Sequence, residues 1–203
     1  MLREVLKNAG LRARVLERAE EFKLNHEAGE RKWFIELSLC ILTANSSFEA
    51  AYRSLQIALP AILRGDEEEI KRSLVLSGYR FPNLKAKYLA LAAKRFANLK
   101  GWIKPIADRD QFAAREELLG IEGIGMKEAS HFLRNVGYMQ LAIIDRHVIR
   151  FIEKIGGPST PKLSLRLYLY LEEIIRGISS SVGLPPGLLD LYIWYLETGT
   201  ILK

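Results

Sequence analysis

Leu118-Leu119-Gly120-Ile121-Glu122-Gly123-Ile124-Gly125-Met126-Lys127-Glu128-Ala129 decides the fold of this chain. Apolar and charged residues run at helical spacing up to Leu119, three glycines within six residues break the pattern, and a second helical pattern starts at Met126. The stretch reads as a helix, a tight turn and a helix, over about 112–137. Gly123 and Gly125 carry no Cβ, so together with Ile124 between them they let the backbone approach a ligand closely. The N–H groups that open the second helix have no helical partner, and such groups suit a phosphate oxygen. A turn of this kind grips DNA through its backbone without reading sequence. As a bare motif it is equally a plain interhelical turn.

Outward from this hairpin the chain is helical in both directions, with no convincing strand. Leu11–Lys23 is a charged amphipathic helix, and Glu30–Thr43 is apolar enough for a central one. A helix from Phe48 is expected to stop at Pro60. Asp66 caps the next, with Glu67, Glu68 and Glu69 in its first turn, and Gly78 ends it. From about Asn83 to Phe96 a further helix turns Leu84, Tyr88, Leu91 and Ala92 inward. Asp108 or Asp110 caps the helix leading into the hairpin. Gly137 closes the hairpin's second helix. Asp145 opens the next, Thr160-Pro161 opens a long one reaching about Ile178, and Pro185-Pro186 opens the last, which ends at Gly199. The fold class is therefore all-α, roughly ten helices joined by short Gly/Pro connections.

The 203 residues suffice for one large domain or two small lobes. The net charge of +6 favours an anionic partner such as nucleic acid. No apolar run approaches a membrane span of roughly 20 residues, and the N-terminus lacks the apolar core of a secretory signal, so a soluble intracellular protein is expected. Cys40 is the only cysteine, which excludes an internal disulfide and a four-cysteine metal or cluster site; it reads as a small buried hydrophobe.

Two residues carry candidate chemistry. Lys127 stands in the first turn of the hairpin's second helix, beside the positive end of its dipole. That location, and any desolvation in a cleft, favours the neutral amine, the form that attacks carbon. Asp145 follows the apolar run Leu141-Ala142-Ile143-Ile144 and heads Arg146-His147-Val148-Ile149-Arg150. It reads as an N-cap, kept ionised by helix N–H groups. A fixed carboxylate beside a sugar carbon also stabilises the positive charge that forms as a base departs.

The hairpin Gly123-Ile124-Gly125-Met126-Lys127-Glu128-Ala129, followed 18 residues after Lys127 by Asp145 within Ile143-Ile144-Asp145-Arg146-His147-Val148, resembles the helix-hairpin-helix DNA glycosylase superfamily. Leu42-Thr43-Ala44-Asn45-Ser46-Ser47 is similar to the segment after a core helix where members carry Gln or Asn. A lysine at 127 resembles the bifunctional members, which remove a base and then cut the strand. The ending Trp194-Tyr195-Leu196-Glu197-Thr198-Gly199-Thr200-Ile201-Leu202-Lys203 is similar to the tail of the second, archaeal-type family of 8-oxoguanine DNA glycosylase/AP lyases.

The resemblance implies two helical lobes with an active-site cleft between them: residues 1–35 plus 138–203 in one, 36–137 in the other. It implies a partner, duplex DNA holding an oxidised base, with the protein a monomer that contacts no membrane. The damaged nucleotide flips into the cleft, Lys127 attacks the sugar C1′ as the base leaves, and β-elimination follows from the Schiff base, with Asp145 assisting. That chemistry requires no metal and no organic cofactor. Lys203 would help recognise the oxidised base, with Trp194 shaping the pocket or packing in the core. Phe81 is a duplex wedge or a core residue, and Arg80 contacts the orphaned base or is merely solvated. Asn45 fills the vacated space or is a turn residue. His131, one turn after Lys127, lines the cleft or stays at the surface. Lys85, Lys87, Arg134 and Arg150 are expected to contribute to a phosphate-facing surface. Two rivals stay open: a related bifunctional glycosylase for oxidised pyrimidines, and a non-catalytic helix-hairpin-helix DNA-binding module.

Overall fold

Every regular element is helical in the computed structural model, which describes residues 2–159 and 162–201. In chain order they are α1 (Leu2–Lys7), α2 (Ala9–Glu27), α3 (Glu30–Thr43), α4 (Phe48–Arg64), α5 (Glu67–Leu76), α6 (Pro82–Ala93), a 3₁₀ turn (Phe96–Asn98), α7 (Leu99–Ala107), α8 (Gln111–Leu118), α9 (Met126–Asn135), α10 (Arg146–Lys154), α11 (Leu165–Val182) and α12 (Pro186–Thr198). Among the described residues no helix is long and apolar enough to cross a membrane.

The middle of the molecule is α3. Every residue from Leu37 to Thr43 is buried, so this helix is wrapped on all sides. Cys40 lies fully inside it, the small hydrophobe its neighbours foretell. Glu36 is buried too, and its carboxylate is met by Lys32 Nζ at 2.9 Å and by Asn135 Nδ2 at 3.0 Å. Asn135 closes α9, and its carbonyl accepts from Asn25 Nδ2 of α2 at 2.9 Å. Polar contacts thus lock the hairpin's second helix against α2 and α3, where buried polar groups need partners.

Apolar side chains form three clusters among the described residues. The largest runs from Trp33 to Leu141, the second from Ala142 to Ile193, and the third joins Leu11, Val15 and Phe22 of α2 to Leu191 and Tyr192 of α12. The second begins where the first leaves off, at the segment leading to Asp145.

Several local expectations need correction. Pro60 does not end α4, which continues to Arg64 and closes on Gly65 at φ 70. Pro60 and Gln56, four residues before it, are both exposed, while Ala61 and Ile62 beyond are buried. The lost hydrogen bond is on the solvent side, and continued burial of the apolar face outweighs it. In α6 the buried face holds Lys85, Ala86, Leu89, Ala90 and Ala92, and Leu84 is left outside. Lys85 lies on this inner face, and its Nζ donates to the Ile41 carbonyl at 2.6 Å, in the last turn of α3. It is therefore not part of a phosphate-facing surface. Helix α7 is unannounced in the sequence, its buried Leu99, Ile103 and Ala107 masked by Lys100, Gly101, Lys104 and Pro105. The long helix starts at Leu165, capped by Ser164, whose side chain accepts from Leu167 N; the expected cap at Thr160-Pro161 lies outside the described residues.

Candidate active site

Asp110 starts the hairpin. Its Oδ1 accepts from Phe112 N at 2.8 Å and Ala113 N at 3.2 Å, capping α8. Leu118, Ile121 and Ile124 then bury their side chains and pin the turn to the large core. Gly123 has φ 86, a left-handed value that glycine adopts without cost. A Cβ there would lie 2.5 Å from Tyr88 Cδ2 of α6. Gly123→Ala combines a disfavoured backbone with a clash, so we expect a loss of about 1–3 kcal/mol in unfolding free energy, read by chemical denaturation. Gly125 is the N-cap of α9 and offers no side-chain hydrogen bond.

From this turn α9 projects Lys127, Glu128, His131 and Arg134 into a cavity of about 990 Å³. Residues of four other regions complete its walls: Thr43 to Glu49 at the junction of α3 and α4, Arg80 before α6, Ile143 to His147 at the start of α10, and Asp190 to Thr200 along α12. Among the described lining residues the four cations Arg80, Lys127, Arg134 and Arg146 face four carboxylates, Glu49, Glu128, Asp145 and Asp190. The cavity is not a simple anion trap. It suits a neutral ligand on which charge separates during reaction.

Lys127 is one-quarter exposed, and its Nζ lies 3.4 Å from Glu128 Oε1. Glu128 is thus its ion-pair partner, whereas the sequence points to Asp145 as the acidic neighbour. Asp145 faces the same cavity as the N-cap of α10: its Oδ1 accepts from His147 N at 2.8 Å and Val148 N at 2.9 Å. Those two bonds fix the direction of the carboxylate.

His147 is buried, and its Nε2 accepts from Arg146 Nε at 3.2 Å. Its ring lies 4.4 Å from that of Trp194. Burial lowers its pKa below the ordinary value of 6.5, and the Asp145 carboxylate opposes that shift. On the cavity floor Arg134 Nη1 meets Asp190 Oδ2 at 2.6 Å. Burial pushes the Asp190 carboxyl up, and the guanidinium opposes that shift. Arg134 is 2 % exposed, so it belongs to this floor and, like Lys85, not to a phosphate-facing surface. Lys87 and Arg150 are exposed.

Asn45, Arg80, His131 and Trp194 therefore all join Lys127 and Asp145 around one space. Among the described residues Asn45 is the non-glycine residue at positive φ, 64, in keeping with a turn. Phe81 is half-buried against the large core, with the Arg80 guanidinium 4.9 Å above its ring; it is not among the cavity's lining residues. Gly123, Ile124 and Gly125 lie at the hairpin turn, outside the cavity lining, and Ile124 is a core residue. Lys203 lies outside the described residues, although Thr198 and Thr200 before it line the cavity. Glu128, His147 and Asp190 are lining residues that carry no role in the sequence reading. Glu128 and His147 are immediate neighbours of candidates there, so only their adjacency pointed to them. Nothing local marks Asp190.

The family model described as 8-oxoguanine DNA glycosylase matches residues 15–184. An 8-oxoguanine DNA glycosylase/AP lyase of Sulfurisphaera tokodaii is 54% identical over the whole of both chains. The crystal structure of the Methanocaldococcus jannaschii 8-oxoguanine glycosylase/lyase, in complex with a 15mer DNA containing 8-oxoguanine, is 40% identical. It superimposes with a TM-score of 0.89, covering 98% of this chain and 97% of that one. The 8-oxoguanine DNA glycosylase of Thermotoga maritima also gives a TM-score of 0.89, at 38% identity, covering 100% of this chain and 98% of that one.

Proposed function

The chain belongs to the archaeal-type 8-oxoguanine DNA glycosylase/AP lyases of the helix-hairpin-helix superfamily, and from that membership we propose how its own residues carry out the reaction. The function is base-excision repair of 8-oxoguanine. One observation carries the assignment of roles: Lys127 and Asp145, on different helices, face the same cavity.

Duplex DNA is gripped as a monomer's substrate by the turn at Gly123, Ile124 and Gly125, through backbone N–H groups and a phosphate. The flipped nucleotide enters the cavity between a central lobe over 36–137 and a second lobe made of 1–35 and 138–203. The change of apolar cluster at Leu141–Ala142 supports a division near there, although Trp33, Phe34, Tyr138 and Leu141 pack with the central cluster. Arg80 and Asn45, on the cavity's rim, meet the orphaned base and the vacated stack. Trp194 and Lys203 contact the damaged base.

In the chemical step the Lys127 amine, its proton released, attacks C1′ as the C1′–N9 bond breaks and the base leaves with the bonding pair. Asp145, fixed in direction by two backbone amides, stabilises the oxocarbenium-like charge on the sugar. Ring opening gives a Schiff base between Nζ and C1′. Loss of a C2′ proton then expels the 3′-phosphate oxygen, cutting the strand by β-elimination. Each group involved belongs to the protein or the DNA.

Single-turnover cleavage of three duplexes tests this reading: one with 8-oxoguanine, one with plain guanine, one with an oxidised pyrimidine. Rapid excision and strand cleavage are expected on the first alone. Faster reaction on the oxidised pyrimidine would move the substrate, and tight binding with no cleavage of any duplex would reduce the protein to a DNA-binding module.

A further inference from the structure

The segment Ala142–Ile144 delivers Asp145 to the cavity, yet it belongs to no helix. Its backbone groups must find partners elsewhere. Three of them meet side chains of α11, while the Ile143 carbonyl accepts from Asp145 N at 3.0 Å. Glu172 Oε1 accepts from Ala142 N at 3.1 Å. One turn earlier, the Tyr168 hydroxyl donates to the Ala142 carbonyl at 3.2 Å and lies 3.4 Å from Ile144 N.

The same two side chains also hold the hairpin. Arg115 of α8 reaches Glu172 through Nη1, at 2.7 Å from Oε1 and 2.9 Å from Oε2. Ser130 of α9 lies 3.3 Å from the Tyr168 hydroxyl and 3.3 Å from Arg115 Nη1. Ser130 follows Lys127 by three residues on the same helix. All four side chains are buried. Burial pushes the Tyr168 phenol up to about 12, so it keeps the proton it donates.

Apolar residues of similar size often serve stability as well as a buried ion pair does, so stability alone is a weak reason for this one. Its geometry offers a better reason. It ties the helix that carries Lys127 to the segment that carries Asp145 through one rigid face of α11.

We infer that Tyr168 and Glu172 are positioning residues for base excision, setting where the Asp145 carboxylate stands relative to Lys127. This inference rests on the roles given above to Lys127 and Asp145. Neither residue touches DNA; each acts through the Ala142–Ile144 backbone and the hairpin. A displacement of a reacting group on the order of 1 Å costs roughly 100-fold in rate, so a loosened tether gives a slow but folded enzyme.

The test is a double-mutant cycle of Tyr168→Phe and Asp145→Asn, run as single-turnover excision of 8-oxoguanine with alkali to reveal every excised site. Tyr168→Phe removes one oxygen and keeps the packed ring. It is expected to slow excision roughly 10- to 100-fold while affinity for a duplex holding an uncleavable abasic analogue stays unchanged. The double variant should be no slower than Asp145→Asn alone, because the tether acts through Asp145. Glu172→Gln, which keeps an acceptor for Ala142 N, is expected to follow the same pattern. An unchanged rate in Tyr168→Phe, or slowing that multiplies in the double variant, overturns the positioning role. Full activity in Asp145→Asn alone would instead overturn the role of Asp145, and the tether's purpose with it.

Discussion

Lys127→Gln is expected to abolish strand cleavage and to slow base excision at least about 1,000-fold, the scale of loss when a covalent nucleophile is removed. Glutamine keeps the length of the aliphatic stem's first half, a similar helix propensity and a polar end, but has no amine to form a bond with C1′. The residue stands in the first turn of α9, one-quarter exposed, and its contact is the ion pair with Glu128. The pair is partly buried, but the glutamine amide can still donate to Glu128, so the change in stability is expected to stay within about 1–2 kcal/mol. The melting temperature and the affinity for duplex DNA are therefore expected to stay close to those of the parent. Single-turnover assays with enzyme in excess measure this directly. A variant that still cuts within 10-fold of the parent rate, as an order-of-magnitude threshold, would remove Lys127 from the chemistry.

Asp145→Asn carries the second-largest expected effect, a loss of roughly 100- to 1,000-fold in the excision rate. The substitution separates the two duties of this side chain. Asparagine is as good an N-cap as aspartate, and its oxygen can accept from His147 N and Val148 N as Oδ1 does now. The helix should therefore hold while the negative charge facing the departing base is gone. Asp145→Ala removes the cap as well and should add about 1 kcal/mol of destabilisation. Equal rates for Asp145→Asn and the parent, with only the alanine variant impaired, would mean that Asp145 serves as a cap alone.

The parts of this site that were legible in the sequence are those built from local signals. Gly123 breaks a helical pattern, Asp145 heads an amphipathic run, and Asp66 precedes three glutamates; each is decided within one turn of helix. The helical class follows from the same local patterns. What stayed hidden depends on residues far apart in the chain. Lys85 and Arg134 look like surface cations because any lysine or arginine does by default. Their burial is set by the Ile41 carbonyl and by Asp190, partners 44 and 56 positions away. The pairing of Arg115 with Glu172 spans 57 residues, and no periodicity predicts it. Pro60 misleads for a related reason: its local cost is fixed by sequence, but the burial that offsets it appears only when α4 packs.

The most direct measurement is borohydride trapping on an 8-oxoguanine duplex, followed by tryptic digestion and mass spectrometry of the adduct. Reduction of the Schiff base freezes the sugar on the attacking amine. Modification of Lys127 blocks trypsin there, so the sugar is expected on a peptide running from Glu116 to Arg134. An adduct on any other amine, including the buried Lys85, would contradict the assignment of Lys127 as the nucleophile.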